Sequence, residues 1–395
     1  MIITMKIFLR IITVLVVLAF PLTASLAAHV PSESGYRHEI DMLAQGAIDR
    51  GLIAGGVVLI GDNQENIFCR AYGRLSGSAE AKRVEEDSLF DIASLTKVVA
   101  TAPAVMKLVE EGTVSLYDPV CRWFPEFVGK KKDDLRIVHL LTHTSGLSDI
   151  SPTAGDSIQF LIERAASVAV KGAPGSRFRY ADINFILLGE LVRRASGLPL
   201  DCFAADNIFF PLHMRDTGFN PHPLNLVRCA ATLDYDNSYL FGSVQDHTAF
   251  LLGGVAGHAG LFSTAYDLSL FCRMILNGGT LDGQCVLMRN TVERTTVPYP
   301  CQEGKVLRGL GWDISSPLSS PRGTVFSEAS FGHTGYSGCS VWIDPEEKVF
   351  VVFLSARLDY KRKRDFNKLR SELSTVAAHL VADSRVNQDF ARKFE

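Results

Sequence analysis

The chain has 395 residues, 47% of them hydrophobic and 21% charged, with a formal net charge of -3. That balance lies in the globular range and excludes a disordered or fibrous chain. The mildly acidic charge gives no support to nucleic-acid binding; the one basic run, Lys361-Arg362-Lys363-Arg364, reads as a solvated turn or helix start because Asp359 and Asp365 flank it.

At the amino terminus Lys6 and Arg10 precede an apolar run over 11–22 that ends in small residues at Ala24, Ser25 and Ala27. This is the layout of a secretory signal peptide, and the run is too short for a bilayer-spanning helix of roughly 20 residues. Residues 1–27 are therefore expected to be a cleaved leader, with no cysteine nearby to carry a lipid, no lasting membrane span and a periplasmic or secreted mature protein. Beyond the leader there is no linker, charge block or internal repeat, so 28–395 is expected to be one domain. Its lobes are an α/β lobe (36–92 and 305–385) and a helical lobe (94–300).

Apolar residues at helical spacing predict a helix over 37–51, stopped by Gly51. Two strands follow over 55–60 and 66–72, joined by the turn-rich Gly61-Asp62-Asn63. The central region carries helical periodicity over 95–111, 158–169, 183–196 and 268–276. Strand patterns return over 310–314, 338–343 and 349–355, and a helix over 366–382 ends the chain. Strands at both ends of a helical middle imply an α+β fold: one antiparallel sheet completed by the chain termini and flanked by helices, an α/β sandwich with an inserted, mostly helical lobe. A cleft is expected at the seam. The eight cysteines form no CxxC pair and show no regular spacing; Cys69 and Cys339 sit in strand-like runs, where a free thiol packs as a small apolar side chain.

Three short stretches carry chemistry. Ser94-Leu95-Thr96-Lys97 follows the strand-like 89–93 and opens a helix, so positions i and i+3 place the hydroxyl beside the amine. Serine is a weak nucleophile until a neighbouring base activates it, and a helix start supplies N–H groups for an oxyanion; alone, Ser94 would equally serve as a helix cap. In Phe178-Arg179-Tyr180-Ala181-Asp182, a tyrosine just ahead of a helix can offer its hydroxyl as a proton shuttle, or be a core tyrosine, and Asp182 can be an N-cap. In Gly332-His333-Thr334-Gly335-Tyr336, glycines let another backbone approach an edge strand, as binding of an extended substrate requires, or else mark a bulge.

In this order, with helical sequence between them, the three stretches resemble the serine beta-lactamase and penicillin-binding protein superfamily. The likeness is strongest to its branch of class C beta-lactamases, D-Ala-D-Ala carboxypeptidases and related esterases, and runs from about residue 39 to 380. It extends to Leu140-Leu141-Thr142-His143-Thr144-Ser145-Gly146-Leu147, Leu187-Leu188-Gly189-Glu190, Gly309-Leu310-Gly311-Trp312 and Trp342-Ile343-Asp344-Pro345. Residues 254–263, Gly-Val-Ala-Gly-His-Ala-Gly-Leu-Phe-Ser, resemble a subgroup with periplasmic penicillin-binding-protein-like esterases.

The resemblance implies the beta-lactamase/transpeptidase-like fold and an acyl-enzyme on Ser94. Lys97 would be the hydrogen-bonded partner and Tyr180 the group that passes the proton to the leaving group, the two acting jointly. Asp182, His333, Thr334, Gly335 and Tyr336 would line the substrate site, with the backbone N–H groups of Ser94 and Tyr336 as oxyanion hole. No cofactor or metal is implied: His139, His143 and His258 lack the three or four supported ligands of a zinc site. Two positions depart from the beta-lactamase pattern. Asp182 stands where asparagine is usual, and His333 where lysine is usual, so carboxylate recognition at 333 is expected to be weaker or pH-dependent. Arg357 is equally placed for a substrate carboxylate or a surface acid. The expected partner is a small-molecule or peptide substrate of peptidoglycan type, with a carboxylesterase, a weak beta-lactamase and a silent wall-binding protein as alternatives.

Overall fold

The computed structural model describes residues 33–392 apart from 131, 235 and 303; the expected leader at 1–27 lies outside the described residues. Eight strands form the large sheet: β1 (Ile53–Asp62), β2 (Asn66–Gly73), β3 (Tyr299–Cys301), β4 (Val306–Arg308), β5 (Asp313–Ser315), β6 (Phe331–Thr334), β7 (Ser340–Asp344) and β8 (Val349–Arg357). Their spatial order is β3-β4-β5-β6-β7-β8-β1-β2, and every neighbouring pair is antiparallel. The first strand of the chain thus pairs with the last, Val58 opposite Phe353. This is the expected α+β sandwich.

Strand parity explains the layers. All nine residues of β8 are buried, and successive side chains point to opposite faces. Phe350, Val352, Leu354 and Ala356 enter one core, with α2 (Ala102–Glu110), α3 (Asp182–Ser196) and α4 (Ala265–Leu276). Val349, Val351 and Phe353 enter another, against α1 (Glu33–Asp49) and α5 (Lys363–Arg392). Each fully buried Val, Leu or Phe contributes about 1.5–3 kcal/mol, so this central strand holds two cores together. The β1–β2 turn is closed by Asp62, whose Oδ1 accepts the N–H groups of Gln64 (2.7 Å) and Glu65 (2.9 Å).

Several elements differ from expectation. The strand expected over 310–314 begins only at Asp313, because Gly309 donates to the Trp312 carbonyl (3.0 Å) and Gly311 takes φ +91, making a turn instead. The edge strands β3 and β4 are three residues each, too short for period-2 alternation to register. The helix expected over 95–111 is three segments: a 3₁₀ turn Ala93–Leu95, a π turn Lys97–Thr101, then α2. Pro103 has no N–H for the Val99 carbonyl, and the chain before it widens, with Ala102 N–H donating to the Lys97 carbonyl. None of the eight cysteines is disulfide-bonded. No helix among the described residues is long and apolar enough to cross a membrane.

Candidate active site

Ser94 stands on a strained turn. Strand Phe90–Asp91 pairs with Leu261–Ser263, and the next turn holds Ala93 at φ +47, a conformation costly for a residue with a Cβ. Buried Asp91 holds this geometry: Oδ1 accepts Ala93 N–H and Oδ2 accepts Gln245 N–H, each at 2.8 Å. Burial pushes its carboxyl up to about 6.

Lys97 is fully buried, and its Nζ has three oxygen neighbours: Ser94 Oγ at 2.9 Å, the His258 carbonyl at 2.9 Å and Asp182 Oδ1 at 2.7 Å. Burial works against its charge, but Asp182 and Tyr180 more than offset this and hold the ammonium above the ordinary lysine range. For Asp182 burial likewise opposes ionisation, and the Lys97 charge keeps the carboxyl below its usual value. Ser94 makes no helix-capping hydrogen bond, and Asp182 is the first helical residue after Ala181 rather than a cap.

Tyr180 reaches this pair from the extended segment ahead of α3. Its ring lies 5.1 Å from Lys97 Nζ, near enough for its hydroxyl to interact with both Lys97 and Ser94. Burial raises its pKa, partly offset by Lys97, so it is a neutral phenol at physiological pH. Behind it His143, at φ +55, stacks on the Tyr180 ring at 4.3 Å and accepts the Ala181 N–H on Nδ1 (3.2 Å). The 140–147 stretch is thus the support of the tyrosine, with Ser145 Oγ donating to Asn184 Oδ1 (2.6 Å).

The 254–263 stretch is the support of the lysine. Thr101 Oγ1 donates to the Gly257 carbonyl (2.6 Å), and Leu261 N–H donates to Thr96 Oγ1 (3.2 Å). A side chain at Gly257 would collide with the Phe185 carbonyl, so only glycine lets this loop lie against α3. The ring of buried His258 bonds Asp246 at 2.7 Å through Nε2. His139 acts locally, accepting Arg136 N–H on Nδ1 (3.1 Å).

The third stretch closes the site. His333 and Thr334 lie on β6 and pair with Val341 and Ser340. A Cβ at Gly335 would overlap the Ile92 carbonyl oxygen, so glycine lets this turn reach the Ser94 turn. Ser337 Oγ then donates to the Asp91 carbonyl (2.6 Å), and Tyr336 is left exposed at the cleft mouth. Ser94, Tyr180, His333, Thr334, Gly335 and Tyr336 line one pocket of about 290 Å³; Asp182 lines the adjoining one with Ser94 and Tyr180. Ser94, Lys97, Tyr180, Asp182, His333, Thr334, Gly335 and Tyr336 therefore meet around one cleft, with Lys97 buried behind Ser94.

His333 is 5% exposed, and burial, then the charges of Arg308 and Lys97, hold its pKa well below the usual histidine range. It is neutral, and the cations of this pocket belong to other residues. Arg308 is fully buried, bonded to Asp313 (3.0 Å) and to the Gly311 carbonyl (3.0 Å), and Arg370 Nη2 donates to the carbonyls of Gly335 (2.8 Å) and Cys339 (2.7 Å). Both line the His333 pocket, as do Arg357 and Lys363. Among the described residues Arg357 forms no ion pair; its guanidinium stacks over Phe366 at 4.5 Å and Tyr360 at 4.7 Å. The sequence reading missed Arg308, Arg370 and Asp246. Arg370 had a signal: it falls on the apolar face of α5 with Phe366, Leu369 and Leu373, where a solvated arginine does not belong.

The buried histidines make a pH prediction. A group with a depressed folded-state pKa binds fewer protons folded than unfolded, so His143 and His333 lose stability as pH falls below their unfolded value of 6.5. Asp91 and Asp267, each raised to about 6 by burial, act in the opposite sense from pH 3.8 to 6. The decisive comparison is therefore between proteins: His333→Asn should show a shallower loss of thermal midpoint from pH 7 to 5 than the unaltered chain.

An antiparallel sheet completed by both chain ends, carrying a serine beside a buried lysine at the seam of its helical layers, defines a serine hydrolase of beta-lactamase/transpeptidase-like fold. The chain belongs to the beta-lactamase family, whose model, described as Beta-lactamase, matches residues 40–373. A Salmonella typhi protein named "Putative D-alanyl-D-alanine carboxypeptidase" is 29% identical over 375 residues, covering 85% of this chain and 86% of its own. Among solved structures, EstCE1, a hydrolase with promiscuous acyltransferase activity, superposes with a TM-score of 0.72 at 21% identity, covering 87% of this chain and 99% of its own. A class C beta-lactamase gives 0.72 at 19% identity, covering 87% and 96%. These two likenesses concern the fold.

Proposed function

We propose that this serine hydrolase is exported and acylates Ser94 with a peptide of D-amino-acid type ending in a free carboxylate. The observation that carries the reading is that Ser94, backed by Lys97, and Tyr180 line a pocket holding Arg308, Arg357, Lys363 and Arg370 with one acid, Asp313. Such a pocket suits a carboxylate on the leaving group. The name of the Salmonella typhi relative agrees with this chemistry.

In the proposed cycle the Lys97–Tyr180 unit acts once it has given up one proton to solvent: it takes the proton of Ser94 as Oγ attacks the scissile carbonyl, and Tyr180 passes that proton to the departing nitrogen. The carbonyl oxygen takes the negative charge beside the N–H groups of Ser94 and Tyr336. Water then enters and attacks the acyl carbon, its proton passes to the same unit, and the unit returns that proton to Ser94 Oγ as the acid leaves. The neutral state of His333 favours, as second reading, a small uncharged ester.

The mature protein is expected to form an adduct at Ser94 with a fluorophosphonate and a fluorescent penicillin, and absence of both adducts in folded protein would refute the acyl-enzyme. A panel of D-Ala-D-Ala peptides, p-nitrophenyl butyrate and nitrocefin, compared by kcat/KM, separates the readings: the peptide should lead, and nitrocefin trail. Export has its own test. Amino-terminal sequencing of protein recovered outside the cytoplasm should begin at Ala28 or His29, and an intact Met1 there would contradict the leader.

A further inference from the structure

The cleft has two arms of opposite charge that meet at Ser94. In the arm with His333 the cations outnumber the single acid, Asp313, which is bonded to Arg308. Three buried donors belonging to its lining, Arg308 Nε, Arg370 Nε and Trp342 Nε1, have no hydrogen-bond partner among the described residues. Among the described residues the other arm, about 480 Å³, is lined by Asp182, Asp234 and Asp246 and by no lysine or arginine, with Lys97 paired to Asp182 from behind.

We propose that the acyl part of the substrate carries a free ammonium group, held between Asp182 and Asp246 in the acidic arm. The inference rests on the carboxypeptidase reading above. A carboxylate drawn into the basic arm places the scissile carbonyl at Ser94, and chain direction then sends the rest of the peptide into the acidic arm.

The spacing fits one compact cation. One carboxylate oxygen of Asp182, one of Asp246 and a ring nitrogen of His258 lie within 4.8 Å of one another, so the two acids are close enough for one nitrogen to reach both. Each acid commits Oδ1 internally, Asp182 to Lys97 and Asp246 to His258 and to Ala249 N–H, which leaves Oδ2 of each with acceptor capacity. About a third of each side chain, 36% and 33%, faces solvent. Asp182 in place of an amide sets a second carboxylate beside Asp246, and with Asp234 the arm stays acidic after Lys97 offsets one charge, so the departure noted in the sequence acquires a role: it selects a charged acyl group.

The test uses two peptide pairs with the same D-alanine leaving group, D-Ala-D-Ala against its N-acetyl form, and Nα-acetyl-Lys-D-Ala-D-Ala against its Nε-acetyl form. D-Alanine release by the mature protein gives kcat/KM for each. In at least one pair the free amine should lead by tenfold or more, chiefly through KM, and Asp246→Asn should cut that lead at least fivefold. Asp246→Glu, which keeps the charge, should retain most of it, and fluorophosphonate labelling of each variant reports that the site is folded. Equal rates in both pairs, or a lead untouched by Asp246→Asn in labelled protein, would overturn the proposal while leaving the peptidase reading intact. Labelling with fluorophosphonate but no D-alanine release from any peptide would overturn both.

Discussion

Lys97→Met is expected to lower kcat/KM by about 10³–10⁴-fold, since it removes the proton-handling partner of Ser94 and the nearest positive charge together. Methionine matches the length of the lysine stem, so the loss reports the ammonium rather than the packing. A second effect should accompany it. The ammonium now offsets the Asp182 carboxylate at 2.7 Å, and breaking a buried pair from one side costs about 3–5 kcal/mol. Because 36% of the Asp182 side chain is exposed, solvent screening brings the expected cost to about 1–3 kcal/mol. Adding Asp182→Asn should recover most of that stability and none of the activity. Denaturant unfolding of both variants and the unaltered chain, beside turnover of one ester, decides the matter; activity regained in the double variant would place the essential proton chemistry elsewhere.

Gly335→Ala should slow fluorophosphonate labelling of Ser94 by about 10²-fold, the cost of misplacing one oxyanion donor. The new Cβ would overlap the Ile92 carbonyl, one residue before the strained Ala93. The turn cannot yield freely, because Gly335 N–H donates to the Cys339 carbonyl (2.7 Å) and its own carbonyl accepts from Arg370 (2.8 Å). Strain therefore passes to the contact between this turn and the Ser94 turn, and overpacking of this kind costs about 1–3 kcal/mol. Gly218→Ala is the matched control: its Cβ would meet nothing within 4 Å and its φ is not in the left-handed region. Labelling at the unaltered rate in folded Gly335→Ala protein would remove the Tyr336 N–H from the proposed oxyanion hole.

These outcomes depend on contacts of different legibility. Periodicity was enough for α3 and α4, whose apolar residues recur over long stretches, and for β8, a run buried on both faces. It failed over 93–101, where Pro103 and the Ala93 turn replace one smooth helix by three local geometries. It failed again at β3 and β4, three residues each at the sheet edge, where pairing rather than pattern makes the strand.

By itself the sequence determined the chemistry on offer: which hydroxyl sits one turn from a lysine, which tyrosine precedes a helix, which glycines flank His333. Local spacing is a property of the chain, and it survives any arrangement of the rest. Tertiary structure alone decided the electrostatics. That His333 is neutral, that Arg308 and Arg370 line its pocket, and that Asp182 lies close to Asp246 all arise from burial and from neighbours many residues away. Charge states follow desolvation and through-space distance, and neither is written in the order of residues.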